Sequence, residues 1–548
     1  MRKLLSTAVI VPVLLATSPL GLAQDKTPGS DQAQVPPPQY TPTAVFCAET
    51  TVPNALCSVL PSYIGPDPKL KNAPGYQGLR GDPPKNIGDD VETPFDNMAW
   101  QMFAALNWAK DVSGKAPARE GLAGQGLRVW QTYTKVSALF GNSPVRAGCT
   151  NALAIPTFYI GSDGKGKPAP NNEEYYQAST NLPLADINGN WTIFERRVNN
   201  VEASYLLAPN GQKSQTLTTI AGQQAFITNN PGGVQFTASA TVMAGANGSI
   251  EIKAAWRILD RALGDDPSRY YSMPAQIAVS GDLVRGGRPF CRSAIVGLVG
   301  MHIIQRNPAY KPTEALLPEW IWATFEHIDN APMAAEPCNV SDGCPGTDHR
   351  KWINQPSCGA AAPSPTPRYS YFLQNATVQG TNIAPVPPGS GLPKFPWNPQ
   401  PPYAKGGTTP ATALPQVARC WSIYPTTASL NSQWQKTLGD AGSVFRNYML
   451  VGTQWGTSLE PLPPPPPPAK PNPVPSDAVP GMLSNMTLET YIQNYTGSDK
   501  NLPGPGSCVG CHSGAPLPAN KFSTKSDFSF LPLLAQPDTA RSRIKTAK

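Results

Sequence analysis

The spacing of hydrophobic residues differs along the chain and predicts helical structure in some parts and β-strands in others. In PFDNMAWQMFAALNWAK (94–110), apolar residues recur three and four positions apart and cover more than one side of a helix. This pattern predicts a buried helix, with Asp96 or Asn97 as its N-cap. Between about residues 190 and 310, short runs rich in β-branched and aromatic residues are separated by turn sequences such as NGN, NPGG and GANGS. That second pattern predicts a β-rich core.

Individual segments predict further elements. The runs expected to form strands are NWTIFERRV, ASYLLA, VQFTASATVMA, IEIKAAWRIL, QIAVSGDLV and the apolar VGLVGMHIIQR. LPEWIWATFEHI (317–328) returns to helical spacing, because Ile321, Phe325 and Ile328 can share one helix face. LNSQWQKTLG and FRNYMLVGTQW predict ordered structure, and GMLSNMTLETYIQNY (481–495) predicts a short helix.

Proline marks the predicted domain boundaries. The chain has 64 prolines in 548 residues, more than twice the usual ~5%. From Pro461 to Pro480, 11 of 20 residues are proline, which predicts a stiff polyproline II linker. This linker either holds the last segment away from the main domain or fastens it along the surface. The predicted fold class is α+β, organised as an extended leader (24–45), a β-rich main domain with several helices and long Pro-rich loops (46–460), the linker (461–480) and a small C-terminal segment (481–548).

The first 23 residues have the organisation of a signal peptide. Arg2 and Lys3 precede the apolar run LLSTAVIVPVLLA, and the small residues of GLA suit cleavage after Ala23. The apolar run is too short and too soon interrupted by proline for a membrane span, so an uncleaved anchor is the weaker alternative. We therefore expect a periplasmic or secreted protein with no stable membrane span after cleavage.

The charge pattern excludes one class of partner. Cleavage removes Arg2 and Lys3, so the formal net charge of +7 falls to +5, which is small for this length. Charged residues make up only 14% of the chain, against about 25% in ordinary soluble domains. No block of lysine and arginine is interleaved with aromatic residues, so the sequence predicts no nucleic-acid binding.

Eight of the ten cysteines are expected to form disulfides. An even number of cysteines in an exported protein favours disulfide bonding. Their pairing cannot be read from the sequence, although Cys338 with Cys344 and Cys47 with Cys57 could close small loops. The eight are Cys47, Cys57, Cys149, Cys291, Cys338, Cys344, Cys358 and Cys420.

The other two cysteines belong to a compact motif, GSCVGCHSGAP (506–516). Cys508, Cys511 and His512 have the Cys-x-x-Cys-His spacing by which haem c is attached. At this spacing one turn of backbone brings both thiols to the two vinyl groups of the porphyrin, and the adjacent imidazole can take an axial position on the iron. The sequence thus predicts one covalently attached haem c, with His512 as an axial iron ligand.

Two other uses of a Cys-x-x-Cys pair fit less well. A thiol–disulfide redox site would need a βαβ context, and the Pro/Gly-rich flanks of this motif provide none. A zinc site would need a fourth ligand and usually a second paired motif, which the sequence lacks.

About the last 70 residues resemble c-type cytochromes, and the resemblance rests on Cys508, Cys511 and His512. WIWATFEHIDNAP, together with ETYIQNY and SCVGCH, is also similar to large exported proteins classed only as the cytochrome c family. The resemblance implies electron transfer but no known reaction. The chain departs from small cytochromes c, whose motif lies near the start of the domain and whose sixth ligand is a downstream methionine. No methionine or histidine follows His512, so a protein-derived sixth ligand must come from upstream.

The candidates for that distal ligand are few. His302 lies in an apolar predicted strand, His327 ends the predicted WATFEHI helix, and His349 is in a polar surface stretch. The thioether candidates are Met449, Met482 and Met486. His327 and His302 are the leading candidates, and an iron with an open sixth position is the remaining alternative.

Three functions are consistent with these observations. The first is a monohaem c-type cytochrome that passes single electrons to a redox partner protein of unknown identity. The second is a haem enzyme, peroxidase- or oxygenase-like, in which His327 or His302 serves an open distal site with Glu326 or an arginine as acid–base partner. The third is a binding protein that carries a redox tail. Motifs for nucleotide binding, serine hydrolysis and zinc proteolysis do not occur.

Overall fold

A computed structural model provides the structure of the chain. It describes residues 92–110, 121–140 without 124–125, 155–161, 173–178, 183–238, 248–306 without 285, 319–338, 368–373, 416–456, 478–479, 483–493 and 508–537 without 521–522, and singly Leu56, Leu60, Cys149 and Asn382. The predicted signal peptide, the predicted leader and most of the predicted polyproline linker lie outside these residues. The described residues belong to one compact unit, Pro38–Lys548.

The described residues form eleven strands and six α-helices, joined by short 3₁₀ turns. The strands are β1 Thr134–Lys135, β2 Thr157–Ile160, β3 Ile193–Val198, β4 Ile250–Leu259, β5 Ser272–Val279, β6 Phe290–Arg306, β7 Trp320–His327, β8 Met333–Cys338, β9 Arg419–Trp421, β10 Tyr448–Gly456 and β11 Ala478–Val479. The helices are α1 Glu92–Leu106, α2 Val136–Phe140, α3 Asn200–Leu207, α4 Ile220–Asn229, α5 Pro425–Asp440 and α6 Cys508–His512.

Nine strands build one large, mainly antiparallel sheet in the order β1-β3-β4-β6-β7-β10-β11. The 17-residue strand β6 organises it. β4 pairs along one edge of β6, whereas the other edge is shared by β5, which pairs with its first half, and β7, which pairs with its second half. β2 adds to β5 in the parallel sense, and β8 and β9 form a separate pair. A large β-rich sheet with a few helices therefore agrees with the predicted α+β class.

Strand β7 divides the two faces of this sheet. Successive strand residues point to opposite faces, and all eight residues of β7 are buried. Ile321, Ala323 and Phe325 belong to the core on the α1 side, whereas Trp320 and Trp322 belong to a core that includes the α6 region. We call the second side the C-terminal face, because residues 483–493 and 508–537 pack on it.

The prediction of a helix at residues 317–328 was wrong. These residues form β7, paired with β6 and β10. A strand buried on both faces has apolar residues at nearly every position, so its pattern cannot be distinguished from that of a buried helix.

Two shorter predictions were also wrong. ASYLLA lies in α3, which starts because the Asn199 side chain accepts a hydrogen bond from the backbone N–H of Glu202. Residues 483–493 form turns, with a 3₁₀ turn at Thr490–Ile492. Few of their backbone groups bind one another, and others bind side chains of distant elements: the N–H of Met486 donates to Glu326 Oε1, for example.

Several predictions were confirmed. The helix at 94–110 is α1, although it begins at Glu92, so Asp96 lies inside it and is not its N-cap. NWTIFERRV, IEIKAAWRIL, QIAVS and VGLVGMHIIQR fall in β3, β4, β5 and β6. LNSQWQKTLG lies in α5 and YMLVGTQW in β10. Of VQFTASATVMA, residues 234–238 are irregular and the rest lies outside the described residues.

One long-range disulfide, Cys149–Cys291, links residues 142 positions apart. Cys420 is disulfide-bonded as well. The small loops predicted from Cys338–Cys344 and Cys47–Cys57 involve cysteines outside the described residues. In the described ranges, no helix has both the length and the apolar character needed to cross a bilayer.

Candidate haem-attachment site

Helix α6 carries all three residues of the motif on the C-terminal face. It spans Cys508–His512, so the two cysteines are three positions apart and lie on neighbouring turns of one side. The N–H of Val509 donates to Gln454 Oε1 of β10 at 2.8 Å, which fixes the start of the helix to the sheet. The motif is therefore placed against the main sheet.

Neither cysteine of the motif is disulfide-bonded, and the two lie in different surroundings. Cys508 is 6% exposed, and its Sγ lies 3.5 Å from the carbonyl oxygen of Leu483. Burial raises the pKa of Cys508 well above its usual range, so its sulfur stays protonated. Cys511 is half-buried. One thiol of the pair is thus enclosed by the fold and the other is nearer to solvent.

His512 has one ring nitrogen fixed and one available. Its Nδ1 lies 2.7 Å from the carbonyl oxygen of Phe528, so Nδ1 carries the proton and donates it. Burial lowers the pKa of His512 to about 4, so the imidazole is neutral at pH 7. The Nε2 lone pair has no hydrogen-bond partner among the described residues. Histidines that ligate metals are held in this way, with the other ring N–H on a carbonyl or carboxylate.

The carbonyl that holds His512 is set by an unusual backbone. Asp527 and Phe528 have φ angles of 52° and 66°, in the left-handed region that non-glycine residues rarely adopt. The Asp527 carboxylate keeps this conformation by accepting from the Trp320 indole at 3.0 Å and by pairing with Arg306. This strain is concentrated at the partner of the predicted iron ligand, as strained backbone at functional sites often is.

His302 lies on the same face and contacts the same aromatic ring as His512. The ring centroid of Trp322 is 4.2 Å from that of His512 and 5.1 Å from that of His302. His302 is 1% exposed, and its Nε2 lies 2.8 Å from Glu489 Oε1. Burial opposes ionisation of Glu489, but His302, Lys253 and the backbone N–H of Asn485 together outweigh burial and lower the pKa of Glu489. The carboxylate is therefore the acceptor in this pair.

Two buried polar atoms next to His512 have no hydrogen-bond partner. These are Nδ1 of His302 and Nε1 of Trp322. Other buried polar atoms among the described residues also lack a partner, so these two show only that polar capacity is left unused next to His512. Together with the thiols of α6 and the free Nε2 of His512, they fit a covalently attached haem.

His327, the other leading candidate, lies elsewhere. It is five residues from Trp322 along β7, so it points to the opposite face of the sheet and lies roughly 17 Å away. Its Nε2 is 2.8 Å from the carbonyl oxygen of Arg269, and its Nδ1 accepts from the N–H of Asp329 at 3.1 Å. Both nitrogens of this fully buried ring are occupied, so the structure does not bring His327 to His512.

The remaining candidates do not join the site. Met486 is fully buried in a third apolar cluster with Tyr270 and Tyr371, and Met449 pairs with Glu326 at the His327 end of β7. The Glu326 carboxylate is paired with Arg419. His349 and Met482 lie outside the described residues.

A buried acid pair lies beside the segment that holds His512. Glu202 of α3 and Glu251 of β4 are buried neighbours, and each influences the pKa of the other. Both carboxyls are buried, and burial is the main cause of the raised pKa of each. Because the charge of Glu251 also opposes ionisation of Glu202, the pair holds one shared proton to a pH above the ordinary glutamate range.

Sequence reasoning missed Trp322, Glu489 and Gln454. With residues 317–328 taken as a strand, the alternation Trp320, Trp322 would have placed both indoles on one face. Nothing in the sequence links Glu489 to His302, which is 187 residues away.

Searches for related proteins found no matching family model, curated protein or solved structure.

Proposed function

We propose that the chain is an exported monohaem c-type cytochrome that transfers single electrons, with residues 481–548 as its haem-attachment segment. One observation carries the proposal. The Cys-x-x-Cys-His motif forms a single helical turn, on which His512 presents a lone pair at Nε2 while its Nδ1–H is fixed by the carbonyl of Phe528. This is the geometry that axial ligation of haem iron requires.

Each residue of the motif then has one role. Cys508 and Cys511 supply the thiols for two thioether bonds, and His512 supplies the axial nitrogen. The bound haem provides a one-electron couple. The protein's own contribution is to orient the imidazole through Phe528 and to keep water away from it through Trp322 and Phe530, whose rings lie 4.2 and 4.8 Å from that of His512.

Compartment and partner follow from the same proposal. Haem attachment to this motif suits the oxidising, exported environment that residues 1–23 and the disulfide Cys149–Cys291 support. Single-electron transfer needs a redox partner protein, whose identity the sequence leaves open. We propose no nucleic-acid partner and no membrane span in the mature chain.

The test is covalent haem attachment. The full chain is exported in a bacterial host that expresses a c-type haem maturation system. Intact mass and haem-dependent peroxidase staining of denaturing gels then report attachment. We expect one haem per wild-type chain, none for the double variant Cys508→Ala/Cys511→Ala, and normal attachment for Cys149→Ser/Cys291→Ser, provided that this disulfide variant folds. Wild-type chain without haem under these conditions would refute the proposal.

A haem enzyme is the second candidate function, and one observation favours it. The His302–Glu489 pair is buried beside His512, where a histidine held by a carboxylate could move protons for a substrate at an open iron. An open iron is five-coordinate and high-spin when ferric, and binds cyanide and carbon monoxide. A six-coordinate, low-spin iron that ignores these ligands favours electron transfer.

A further inference from the structure

The two histidines on the C-terminal face are held in complementary ways. His512 donates from Nδ1 to a carbonyl, and His302 donates from Nε2 to the Glu489 carboxylate, because a carboxylate can only accept. When the two imidazoles are neutral, each is left with one nitrogen that carries a lone pair. In His302 this nitrogen, Nδ1, is buried and has no partner.

The sheet places His302 and His512 against the same indole, that of Trp322. His302 and Trp322 lie on adjacent strands, where His302 pairs with Thr324 and Trp322 with Ile304, so the two side chains are diagonal neighbours on one face. His512 packs on the same indole from α6. Among the four histidines of the chain, His302 is the one that the described structure places beside His512.

A carboxylate partner is typical of a histidine that ligates a metal. It fixes the tautomer and the ring plane, and it makes the other nitrogen more basic. Glu489 is itself fixed, because its Oε2 accepts from the backbone N–H of Asn485 at 2.9 Å. His302 is thus preorganised to present Nδ1 to a ligand, which a histidine that only fills a core has no need to be.

We infer that His302, held by Glu489, is the second axial ligand of the haem iron. This inference rests on the proposed function, and it makes the iron six-coordinate with two histidine ligands. The indole of Trp322 contacts both imidazoles, so ligation from both sides requires that indole to turn away when haem is attached.

Spectroscopy of the wild-type holoprotein is the first test. With two histidine ligands, ferric iron is low-spin by electron paramagnetic resonance, lacks a sulfur-to-iron charge-transfer band, and binds neither cyanide nor carbon monoxide readily. Ferric iron that is high-spin, or that shows the sulfur band, overturns the inference. In both cases the covalently attached haem still upholds the proposed function, whereas absence of haem refutes both.

Variants locate the ligand. In His302→Ala we expect covalent haem to remain, the ferric iron to become high-spin and able to bind carbon monoxide, and added imidazole to restore the low-spin spectrum. The matched control is His327→Gln, an equally buried histidine on the other face, which should stay low-spin. A low-spin His302→Ala without added imidazole overturns the inference.

A milder variant keeps the test decisive if His302→Ala does not fold. Glu489→Gln retains the size and hydrogen-bonding capacity of the side chain but removes its charge, so the His302 imidazole becomes a weaker donor. We expect the iron to stay low-spin and its midpoint potential to rise relative to wild type. An unchanged potential contradicts the assignment of Glu489 as the partner of an iron ligand.

Discussion

The buried pair Glu202–Glu251 should make the protein less stable as the pH rises. Both carboxyls are enclosed between α3, β4 and the C-terminal segment. Burial raises the pKa of both, and the charge of Glu251 raises the pKa of Glu202 further. In the unfolded chain each carboxyl titrates near the ordinary glutamate value of about 4.3. A folded-state pKa above the unfolded one contributes its full stability below the unfolded value, and this stability is lost as the pH climbs towards the folded value.

The slope of this loss can be worked out. For each pH unit between the two values, one proton that the folded state must retain costs about 1.4 kcal/mol. The loss continues for as long as Glu202 stays protonated in the folded state. Other charges near the pair are those of Asp527, which adds to the repulsion, and Arg196, which favours ionisation of Glu251. Arg196 therefore makes this figure an upper bound.

The perturbation is Glu202→Gln, which keeps a hydrogen-bond donor next to Glu251 without a titrating proton. Urea unfolding followed by circular dichroism at pH 5, 6 and 7 gives the free energy of unfolding of each protein. We expect the stability of the variant relative to wild type to increase as the pH rises, by no more than about 1.4 kcal/mol for each pH unit.

Glu174→Gln is the control with the opposite sign. The Glu174 carboxylate pairs with Arg196 at 3.0 Å and Lys253 at 3.1 Å. Burial alone would raise its pKa, but these two charges outweigh burial and lower it. Its stabilisation is present above the unfolded pKa and is lost in acid, so Glu174→Gln should be less stable than wild type at pH 7 and approach it at low pH. Parallel pH profiles of wild type and Glu202→Gln would contradict the shared-proton interpretation.

Three further predictions concern the fold around the site. Asp96 lies on the other face of the sheet, and burial raises its pKa to about 7. In the same urea assay, Asp96→Asn should lose less free energy of unfolding than wild type between pH 4 and pH 7. Equal losses would contradict this prediction. Cys149→Ser/Cys291→Ser should lower the free energy of unfolding by roughly 2–5 kcal/mol, measured against wild type under non-reducing conditions, and no change would mean that the bond does not form. Gly300→Val should loosen residues 483–493, because a Cβ at Gly300 meets the Thr487 hydroxyl. Faster proteolytic cleavage in that segment is expected, with Gly232→Val, at an open position without a positive φ, as the control.

The sequence predicted those elements whose type is set locally, by residue types and flanking turn signals. α1 and strands β3 to β6 were found because their residue types and turn signals agree with the final structure. β7 was missed because it is buried on both faces, and α3 because the capping interaction of Asn199 outweighs the β-like composition of ASYLLA. Local pattern is decisive only where tertiary burial does not override it.

The same distinction holds for the site. Cys508, Cys511 and His512 are adjacent in sequence, so their spacing alone predicts their chemistry. The choice between His302 and His327 depends on which face of a sheet each occupies. That property requires the strand register and is not present in either residue's neighbours along the chain. Glu489 could be recognised only once the turns of residues 483–493 were placed against β6.

The enclosure of Cys508 bears on the order of events during maturation. With its sulfur packed against Leu483 and its side chain 6% exposed, the folded chain does not present this thiol to a porphyrin or to an enzyme that handles one. On the proposed function, the thioether bonds have to form while residues 508–537 are still undocked. Docking of this segment would then act as a latch, closing over a prosthetic group that is already attached. Haem attachment then has to precede the final folding step. In a chain that folds first, the Cys508 thiol is enclosed and can no longer react with haem.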